Sequence, residues 1–335
     1  MSGATHQLRL RRVIEETAEA RSFEFEVPAE LAAAYRYQSG QFLAFDVVVE
    51  GRILRRCYSL SSAPGIDPHP VITVKRVADG PVSSWFNAVP RAGDLLQVAP
   101  PAGRFVLGTD PAPLCLYAAG SGITPIFSIM KTALRDWTTP IRLFFANRDS
   151  ESVIFRTALD RMLAEHPARL SIRHHLDIHD GLTNATELVA FAGDPIGSQH
   201  YICGPAPFMA LVESVLLQAG TPRFDIHIER FTVSDEAPVG EPARSAAADI
   251  AITLDGRTST VRSRAGETVL EAARRAGLQP PSSCESGICA SCLAKVVEGT
   301  ATMRNNEVLN EEEVAEGLIL TCQAVPASPV LKVEY

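Results

Sequence analysis

Four cysteines in the last fifth of the 335-residue chain have the spacing of an iron–sulfur site. Cys284, Cys289 and Cys292 form a C-x4-C-x2-C pattern, and Cys322 follows after a longer gap. Plant-type [2Fe–2S] sites show this spacing, with four thiolates holding two irons. Zinc sites more often present C-x2-C pairs, so zinc and unrelated structural thiols are the less favoured alternatives. We predict that these four cysteines are metal ligands.

The tetrapeptide Arg56-Cys57-Tyr58-Ser59 carries side chains suited to binding a flavin. A guanidinium fork suits a phosphate, and a tyrosine ring can flank an isoalloxazine. A serine hydroxyl can reach the flavin N5, where hydride arrives. Because a polar strand end with Arg and Tyr is common, the tetrapeptide alone is weak evidence.

A glycine-rich turn lies between a strand-like run, 114–119, and a segment with helical periodicity, 126–137. Such a turn lets the backbone approach a phosphate at the positive end of a helix. The candidate residues are Gly120, Ser121, Gly122 and Thr124. Pro125 replaces the third glycine of the common dinucleotide fingerprint, so taken by itself this is more often an ordinary tight turn.

The composition is that of an ordinary globular protein of two or three domains, with 46% hydrophobic and 21% charged residues. The net charge of −8 argues against general affinity for nucleic acid or an anionic membrane. No apolar run approaches the roughly 20 residues of a membrane-spanning helix. Residues 1–12 lack the apolar core of a signal peptide. We therefore expect a cytoplasmic protein, whose seven cysteines need a role other than disulfides.

The pattern of elements divides the chain into three domains and a linker. Short β-branched and aromatic runs in residues 1–108 predict a barrel or sandwich. Alternating strands and helices in residues 109–232 predict an α/β domain with a parallel sheet. Residues 233–248, rich in Pro, Ala, Glu and Ser, predict a linker. Residues 249–335 begin with a predicted hairpin at Asp255-Gly256 and a predicted helix, Glu267–Ala276, ended by Gly277.

Taken together, these segments resemble the ferredoxin–NADP⁺ reductase superfamily joined to a C-terminal plant-type ferredoxin. The R-x-Y-S tetrapeptide, the G-x-G-x-x-P turn and the cysteine spacing all match it, and the resemblance covers nearly the whole chain. It implies an antiparallel β-barrel for the flavin, a parallel α/β domain for the nicotinamide and a β-grasp ferredoxin domain. Glu285 departs from the arginine that plant ferredoxins commonly have there, which bears on surface charge and partner choice.

The resemblance also implies binding residues that their types alone would not single out. A strand and a turn at the start of a helix would hold the flavin pyrophosphate. Because FMN has no pyrophosphate, such a site favours FAD. The candidate residues are Val74, Lys75, Gly80, Val82, Ser83 and Ser84. Arg148 would lie beside the adenosine ribose, and Cys203, Gly204 and Pro205 would form the nicotinamide pocket. Glu229 would position the nicotinamide, and Phe231 would shield the flavin. Without the resemblance, Cys203 would be read as a small buried residue and Glu229 as a solvated one.

The order of domains is similar to that in reductase components of bacterial oxygenases, such as those of 3-ketosteroid 9α-hydroxylase and phenylacetyl-CoA epoxidase. It implies electron flow from NADH, or NADPH, through FAD and the [2Fe–2S] cluster to a terminal Rieske or di-iron oxygenase. Ser59 and Glu229 would be the catalytic residues. A reductase for a cytochrome P450, a general NAD(P)H dehydrogenase and a redox-sensing module are the alternatives. We expect a monomer.

Overall fold

A computed structural model describes residues 5–231 and 247–335. Of the predicted linker 233–248, residues 233–246 lie outside the described residues. The described chain forms two compact units, the larger made of His6–Pro101 and Phe105–Phe231. The smaller unit contains the residues from 247 onward.

The first lobe of the larger unit is a six-stranded antiparallel sheet in the order β4-β3-β6-β1-β2-β5. Its strands are β1 (His6–Thr17), β2 (Ala20–Glu26), β3 (Phe42–Val49), β4 (Arg52–Ser59), β5 (Val71–Lys75) and β6 (Leu95–Val98). The edge strands β4 and β5 meet where Leu60 pairs with Ile72, which closes the sheet. Its core is aromatic, with Phe23, Phe45 and Phe86 fully buried. The helix α1 (Pro81–Ala88) supplies Phe86.

The second lobe is a five-stranded parallel sheet in the order β11-β10-β7-β8-β9. Its strands are β7 (Leu114–Ala119), β8 (Ile141–Asn147), β9 (Leu170–Leu176), β10 (Gln199–Cys203) and β11 (Ile226–Glu229). The helices are α2 (Ile123–Asp136), α3 (Arg156–Glu165), α4 (Asp177–Asp180), α5 (Ala185–Ala192) and α6 (Ala206–Gln218). All six residues of β7 are buried, as expected for a central strand covered on both faces. Because the strands are parallel, their carboxyl ends lie along one edge.

The smaller unit contains a mixed sheet in the order β13-β12-β18-β14-β16 and a two-stranded ribbon of β15 and β17. The strands are β12 (Asp249–Leu254), β13 (Arg257–Arg262), β14 (Leu293–Glu298), β15 (Ala301–Met303), β16 (Leu318–Leu320), β17 (Ala324–Pro326) and β18 (Val330–Glu334). The helices are α7 (Val269–Arg275) and α8 (Glu311–Ala315). The last strand runs parallel to the first, beside the β12–β13 hairpin. The predicted fold class is confirmed in all three parts.

In the described parts of the chain, no helix has both the length and the apolar character that crossing a bilayer requires.

Candidate functional site

The predicted flavin tetrapeptide forms the end of β4, and it contains a buried hydroxyl that is left unsatisfied. Ser59 is 3% exposed, and its Oγ has no hydrogen-bonding partner among the described residues. A buried polar atom of this kind costs about 1–3 kcal/mol unless something bonds to it. A polar ligand atom such as a flavin nitrogen would satisfy the hydroxyl. The site therefore fits the predicted cofactor.

The side chains before Ser59 are fixed by packing and hydrogen bonds. The Tyr58 ring packs edge-on against Phe86 at a centroid distance of 5.1 Å, and burial raises the pKa of its phenol. Arg56 Nη1 donates to the carbonyl of Arg55 at 2.8 Å. Cys57 lies between these two residues and is partly exposed. The strand thus presents an ordered guanidinium, ring and hydroxyl within four residues.

The turn before α1 uses one of the serines that the sequence assigned to the pyrophosphate. Ser83 Oγ donates to the carbonyl of Gly80 at 3.0 Å and accepts the N–H of Val77 at 3.1 Å. This hydroxyl therefore braces the turn. A phosphate contact would fall to the N–H groups of Val82 and Ser83 in the first helical turn, which have no acceptor within the helix. Ser84 donates its own N–H to Gly80 at 3.0 Å.

Two residues of β5 have different surroundings. Val74 is completely buried, so only its backbone could contact a ligand, and its carbonyl accepts Asn87 Nδ2 at 3.2 Å. Lys75 reaches the second lobe, where its Nζ would lie 3.7 Å from a Cβ placed on Gly120. The barrel therefore places a cation beside the glycine-rich turn.

The glycine-rich turn is a single 3-10 turn, Gly120–Gly122, between β7 and α2. A Cβ on Gly122 would lie 2.0 Å from the carbonyl oxygen of Cys203, and one on Gly204 would lie 2.9 Å from Ala119 Cβ. The turn after β7 and the end of β10 therefore approach so closely that neither Gly122 nor Gly204 has room for a side chain. Thr124 Oγ1 donates to the carbonyl of Ser121 at 2.9 Å, which stabilises the first turn of α2. A backbone surface at a helix start is suited to phosphate.

Cys203 and Glu229 end neighbouring strands and are paired in register. Cys203 is fully buried, and burial together with the nearby Glu229 carboxylate raises the pKa of its thiol. Cys203 is thus a neutral thiol. The Glu229 side chain is also buried, whereas Phe231 is 41% exposed. Pro205 precedes the first turn of α6.

Arg148 follows β8 and is held by carboxylates. Its Nε donates to Asp149 at 2.8 Å, and its Nη1 lies 3.8 Å from Glu19 Oε2 in the barrel. These carboxylates raise the pKa of the guanidinium, Asp149 more than Glu19.

The carboxyl edge of the parallel sheet brings together most of the predicted nicotinamide residues: Gly120, Ser121, Gly122, Thr124, Arg148, Cys203, Gly204, Pro205 and Glu229. The sequence singled out Arg148 at the end of β8, and the structure adds its neighbour Asn147, the last residue of that strand. It is 5% exposed, and neither polar atom of its amide has a partner among the described residues. Its place at a strand end was the available signal. The unsatisfied amide marks it as a further candidate ligand contact.

The two adjacent histidines on β9 have different environments. His175 is completely buried, with Nδ1 2.9 Å from Glu187 Oε2 and Nε2 2.8 Å from the carbonyl of Gly181. Burial alone would lower the pKa of His175, but these contacts outweigh it and raise the pKa. For His174, burial lowers the pKa. The sequence does not single out either histidine as a site residue, and it gives no sign of the charged surroundings of His175.

In the smaller unit the four predicted ligands are buried. Cys284, Cys289 and Cys292 lie in a tightly turned loop between α7 and β14, and Cys322 follows β16. Backbone N–H groups donate to sulfur at 3.4 Å, from Ser286 to Cys284 and from Ser291 to Cys289. The loop adopts positive φ at Glu285, Gly287 and Ala290. A Cβ on Gly287 would lie 2.7 Å from the carbonyl oxygen of Asn305, so only glycine fits there.

The thiols form two pairs. A hydrogen bond with Cys284 lowers the pKa of Cys289 to about 6, and one with Cys322 lowers the pKa of Cys292. Among the described residues, no group of three or more His, Cys, Asp or Glu side chains is arranged around a single ion. Two pairs of thiols suit a cluster with two irons, each iron taking two thiolates. The residues therefore fit the predicted [2Fe–2S] cluster.

An ion pair braces this loop from outside. Arg274 Nη2, on α7, donates to Ser282 Oγ at 2.8 Å and to Glu285 Oε1 at 2.7 Å. The carbonyl of Glu285 accepts Gln323 Nε2 at 2.8 Å. Glu285 is the residue that departs from the ferredoxin pattern, and here it contacts an arginine of the neighbouring helix.

Comparisons with known proteins agree with this arrangement. Three family models match: an oxidoreductase FAD-binding domain at residues 7–107, an oxidoreductase NAD-binding domain at 116–214 and a 2Fe-2S iron-sulfur cluster binding domain at 252–327. The predicted cofactors FAD, NAD(P)H and [2Fe–2S] are confirmed at the level of these domains.

Curated relatives match over the full length. The ferredoxin reductase component of 3-ketosteroid-9-alpha-monooxygenase from Mycolicibacterium smegmatis is 41% identical, covering 98% of this chain and 96% of the relative. A component of 1,2-phenylacetyl-CoA epoxidase from Escherichia coli is 33% identical, covering 98% and 97%. The solved structure of phthalate dioxygenase reductase superposes with a TM-score of 0.61 at 26% identity, covering 99% and 98%. The chain belongs to the family of NAD(P)H-dependent oxidoreductases, containing FAD and a [2Fe–2S] cluster, that are the reductase components of multicomponent oxygenases.

Proposed function

We propose that this chain takes electrons from NADH and delivers them, through FAD and the [2Fe–2S] cluster, to a terminal oxygenase of the Rieske or di-iron class. The proposal rests on two buried pairs of cysteines. The same chain contains the predicted flavin site at the end of β4 and the predicted nucleotide site at the carboxyl edge of the parallel sheet. Nicotinamide gives two electrons as hydride, whereas oxygenase irons accept electrons singly. FAD supplies a carrier that accepts two electrons and releases them one at a time. The names of the full-length relatives support the partner class.

The proposed roles follow the geometry of each residue. Ser59 Oγ would bond the flavin N5, with Arg56, Cys57 and Tyr58 forming the wall of the flavin site. The N–H groups of Val82 and Ser83 would bind the pyrophosphate. Glu229 and the neutral thiol of Cys203 would flank the nicotinamide, and Phe231 would cover the flavin. The segments 1–108, 109–232 and 249–335 would correspond to the flavin, nicotinamide and cluster domains.

The charges near Arg148 favour NADH over NADPH. A 2′-phosphate needs an available cation, but the Arg148 guanidinium already contacts Asp149 at 2.8 Å and lies 3.8 Å from Glu19. Asp177 and Asp180 follow β9 at the same edge of the sheet. A phosphate placed there would meet carboxylates, and like charges at close range are unfavourable. We therefore propose NADH as the donor.

The test compares two electron acceptors in the purified holoenzyme. Ferricyanide can take electrons from reduced flavin, whereas cytochrome c should depend on the cluster. Cys289→Ser should abolish NADH-driven reduction of cytochrome c and largely spare that of ferricyanide. Cys115→Ser changes a buried cysteine of the parallel sheet and is the matched control. Full cytochrome c reduction by Cys289→Ser would show that electrons do not leave through the cluster.

The same assay, extended to other electron acceptors, separates the alternatives. A redox sensor would not turn over repeatedly with an electron acceptor, whereas the proposed reductase should. A P450 reductase or a general dehydrogenase would reduce a P450 or a quinone in preference to an oxygenase iron centre. A monomer in the cytoplasm stays a prediction, and size-exclusion chromatography with light scattering tests the first part of it.

A further inference from the structure

The loop that follows β4, residues 60–70, lies along one face of α2, the helix that begins after the glycine-rich turn. Ser128 Oγ donates to the carbonyl of Ser62 at 2.5 Å, and Arg135 Nη1 donates to the carbonyl of Pro64 at 2.7 Å. Between them, Lys131 Nζ donates to the carboxylate of Asp67. Positions 128, 131 and 135 share one helix face because they are three and four residues apart.

The Ser128 and Lys131 side chains are buried, whereas the Arg135 side chain is exposed. Ser128 is completely buried, and the Lys131 side chain is 13% exposed. Burial lowers the pKa of Lys131, and the Asp67 carboxylate opposes that change. Asp67 Oδ2 also accepts the N–H of Ala63 at 2.7 Å, which folds the loop onto its own ion pair. The Asp67 side chain is 31% exposed, so the pair is buried mainly on the lysine side. With its second bond to Ala63, it is held more firmly than a fully exposed ion pair.

These contacts lie close to both cofactor sites. Ser59 precedes Ser62 by three residues, and Gly122 precedes Ser128 by six residues of helix, about 9 Å along the axis. Two buried residues, Leu60 and Ser61, separate the contacts from the Ser59 hydroxyl, and the first turns of α2 separate them from the glycine-rich turn. Hydride transfer needs its two atoms about 3–3.5 Å apart, and an error of about 1 Å can cost about 100-fold in rate.

We propose that Ser128 and the Lys131–Asp67 pair are positioning residues that fix the nicotinamide against the flavin during hydride transfer. The inference rests on the proposed function, in which NADH reduces FAD. In the step they serve, hydride moves from NADH to FAD, leaving NAD⁺, and a proton from solvent completes the reduced flavin. The contacts touch neither cofactor. They set the distance between the lobe that holds the flavin strand and the helix that holds the nucleotide turn.

The test is anaerobic stopped-flow reduction of the holoenzyme flavin by NADH. Two independent variants are used, Ser128→Ala and the double variant Asp67→Asn with Lys131→Met, which leaves no unpaired buried charge. Each should lower the limiting rate of flavin bleaching about 10- to 100-fold while changing the NADH dissociation constant less than threefold. Bound FAD and the dithionite-reduced spectrum should match the wild type. Arg135→Ala, on the same helix face but exposed, is the matched control and should change the rate less than twofold.

The outcomes separate the two hypotheses. A merely structural role would lower the thermal midpoint and leave the limiting rate of the folded, FAD-loaded enzyme unchanged, and that result would overturn the inference. The inference also fails if Arg135→Ala slows bleaching as much as the buried variants do. If NADH does not bleach the flavin of the wild-type protein, the proposed function itself is wrong.

Discussion

Gly122→Ala tests whether the nucleotide site depends on the close approach of β7 and β10. The backbone of Gly122 has φ −61° and ψ −14°, which alanine adopts freely, so the substitution introduces no backbone strain. The added Cβ would instead lie 2.0 Å from the oxygen and 2.4 Å from the carbon of the Cys203 carbonyl, and 2.7 Å from the nitrogen of Gly204. All three atoms belong to backbone, so no side-chain rotation relieves the contact.

The expected loss follows from these distances. Non-bonded heavy atoms pack at about 3.5 Å, so the turn and the end of β10 must separate by more than about 1 Å. A misplacement of about 1 Å in a reacting pair costs about 100-fold, or about 2.7 kcal/mol of transition-state stabilisation. We expect kcat/KM for NADH to fall about 100-fold, because both the phosphate contact and the nicotinamide pocket move.

The assay is NADH–ferricyanide reduction, with bound FAD and the thermal midpoint measured on the same preparations. Gly108→Ala is the matched control, since its nearest neighbour would be Tyr201 Oη at 4.0 Å. Dithionite should still reduce the flavin and the cluster of Gly122→Ala. A folded, FAD-loaded Gly122→Ala enzyme with kcat/KM within threefold of the wild type would refute the reasoning.

Three further predictions concern single side chains. Ser59→Ala should retain FAD and slow flavin reduction by NADH about tenfold, the value of one hydrogen bond, and an unchanged stopped-flow rate would contradict its role. Arg274→Ala should speed the loss of visible cluster absorbance in chelator several-fold. Arg275→Ala, on the same helix, breaks the ion pair with Glu267 instead and should not. The raised pKa of His175 means that its imidazolium stabilises the fold fully below its ordinary pKa and that this stability is lost as pH rises through the native pKa. His175→Gln should therefore lower the thermal midpoint at pH 6, with a smaller deficit at alkaline pH; a constant deficit would show that charge plays no part.

The sequence predicted the parts of this fold that depend on local chemistry. The hairpin at Asp255-Gly256 was visible because both residues must adopt positive φ, as they do at 51° and 74°. The predicted helix Glu267–Ala276 is observed as Val269–Arg275, because Thr268 and Glu271 form a capping box that sets its start. The cysteine spacing likewise predicts a loop, because three of the four ligands lie close together in sequence.

Contacts between distant segments were not predictable in this way. Lys131 and Asp67 are 64 residues apart, and neither residue type nor spacing marks them as a pair. The contacts of His175 with Glu187 and Gly181 depend on how α4 and α5 pack beside β9. Asn147 ends β8, but only the folded sheet shows that its amide is buried without a partner among the described residues.

The two serines of the predicted flavin site show how hydrogen bonds distinguish a side chain that could bind a ligand from one that stabilises a turn. The family resemblance predicted both Ser59 and Ser83 to contact the cofactor. In the structure, Ser83 Oγ already has a donor and an acceptor within its own turn, at 3.1 Å and 3.0 Å, whereas Ser59 Oγ has neither among the described residues. A buried hydroxyl left without a partner destabilises the protein, and a ligand atom that bonds to it removes that cost. We therefore expect Ser59 to be the serine whose hydrogen bond contributes to FAD chemistry, and Ser83 to act by shaping the turn that would present N–H groups to the phosphate.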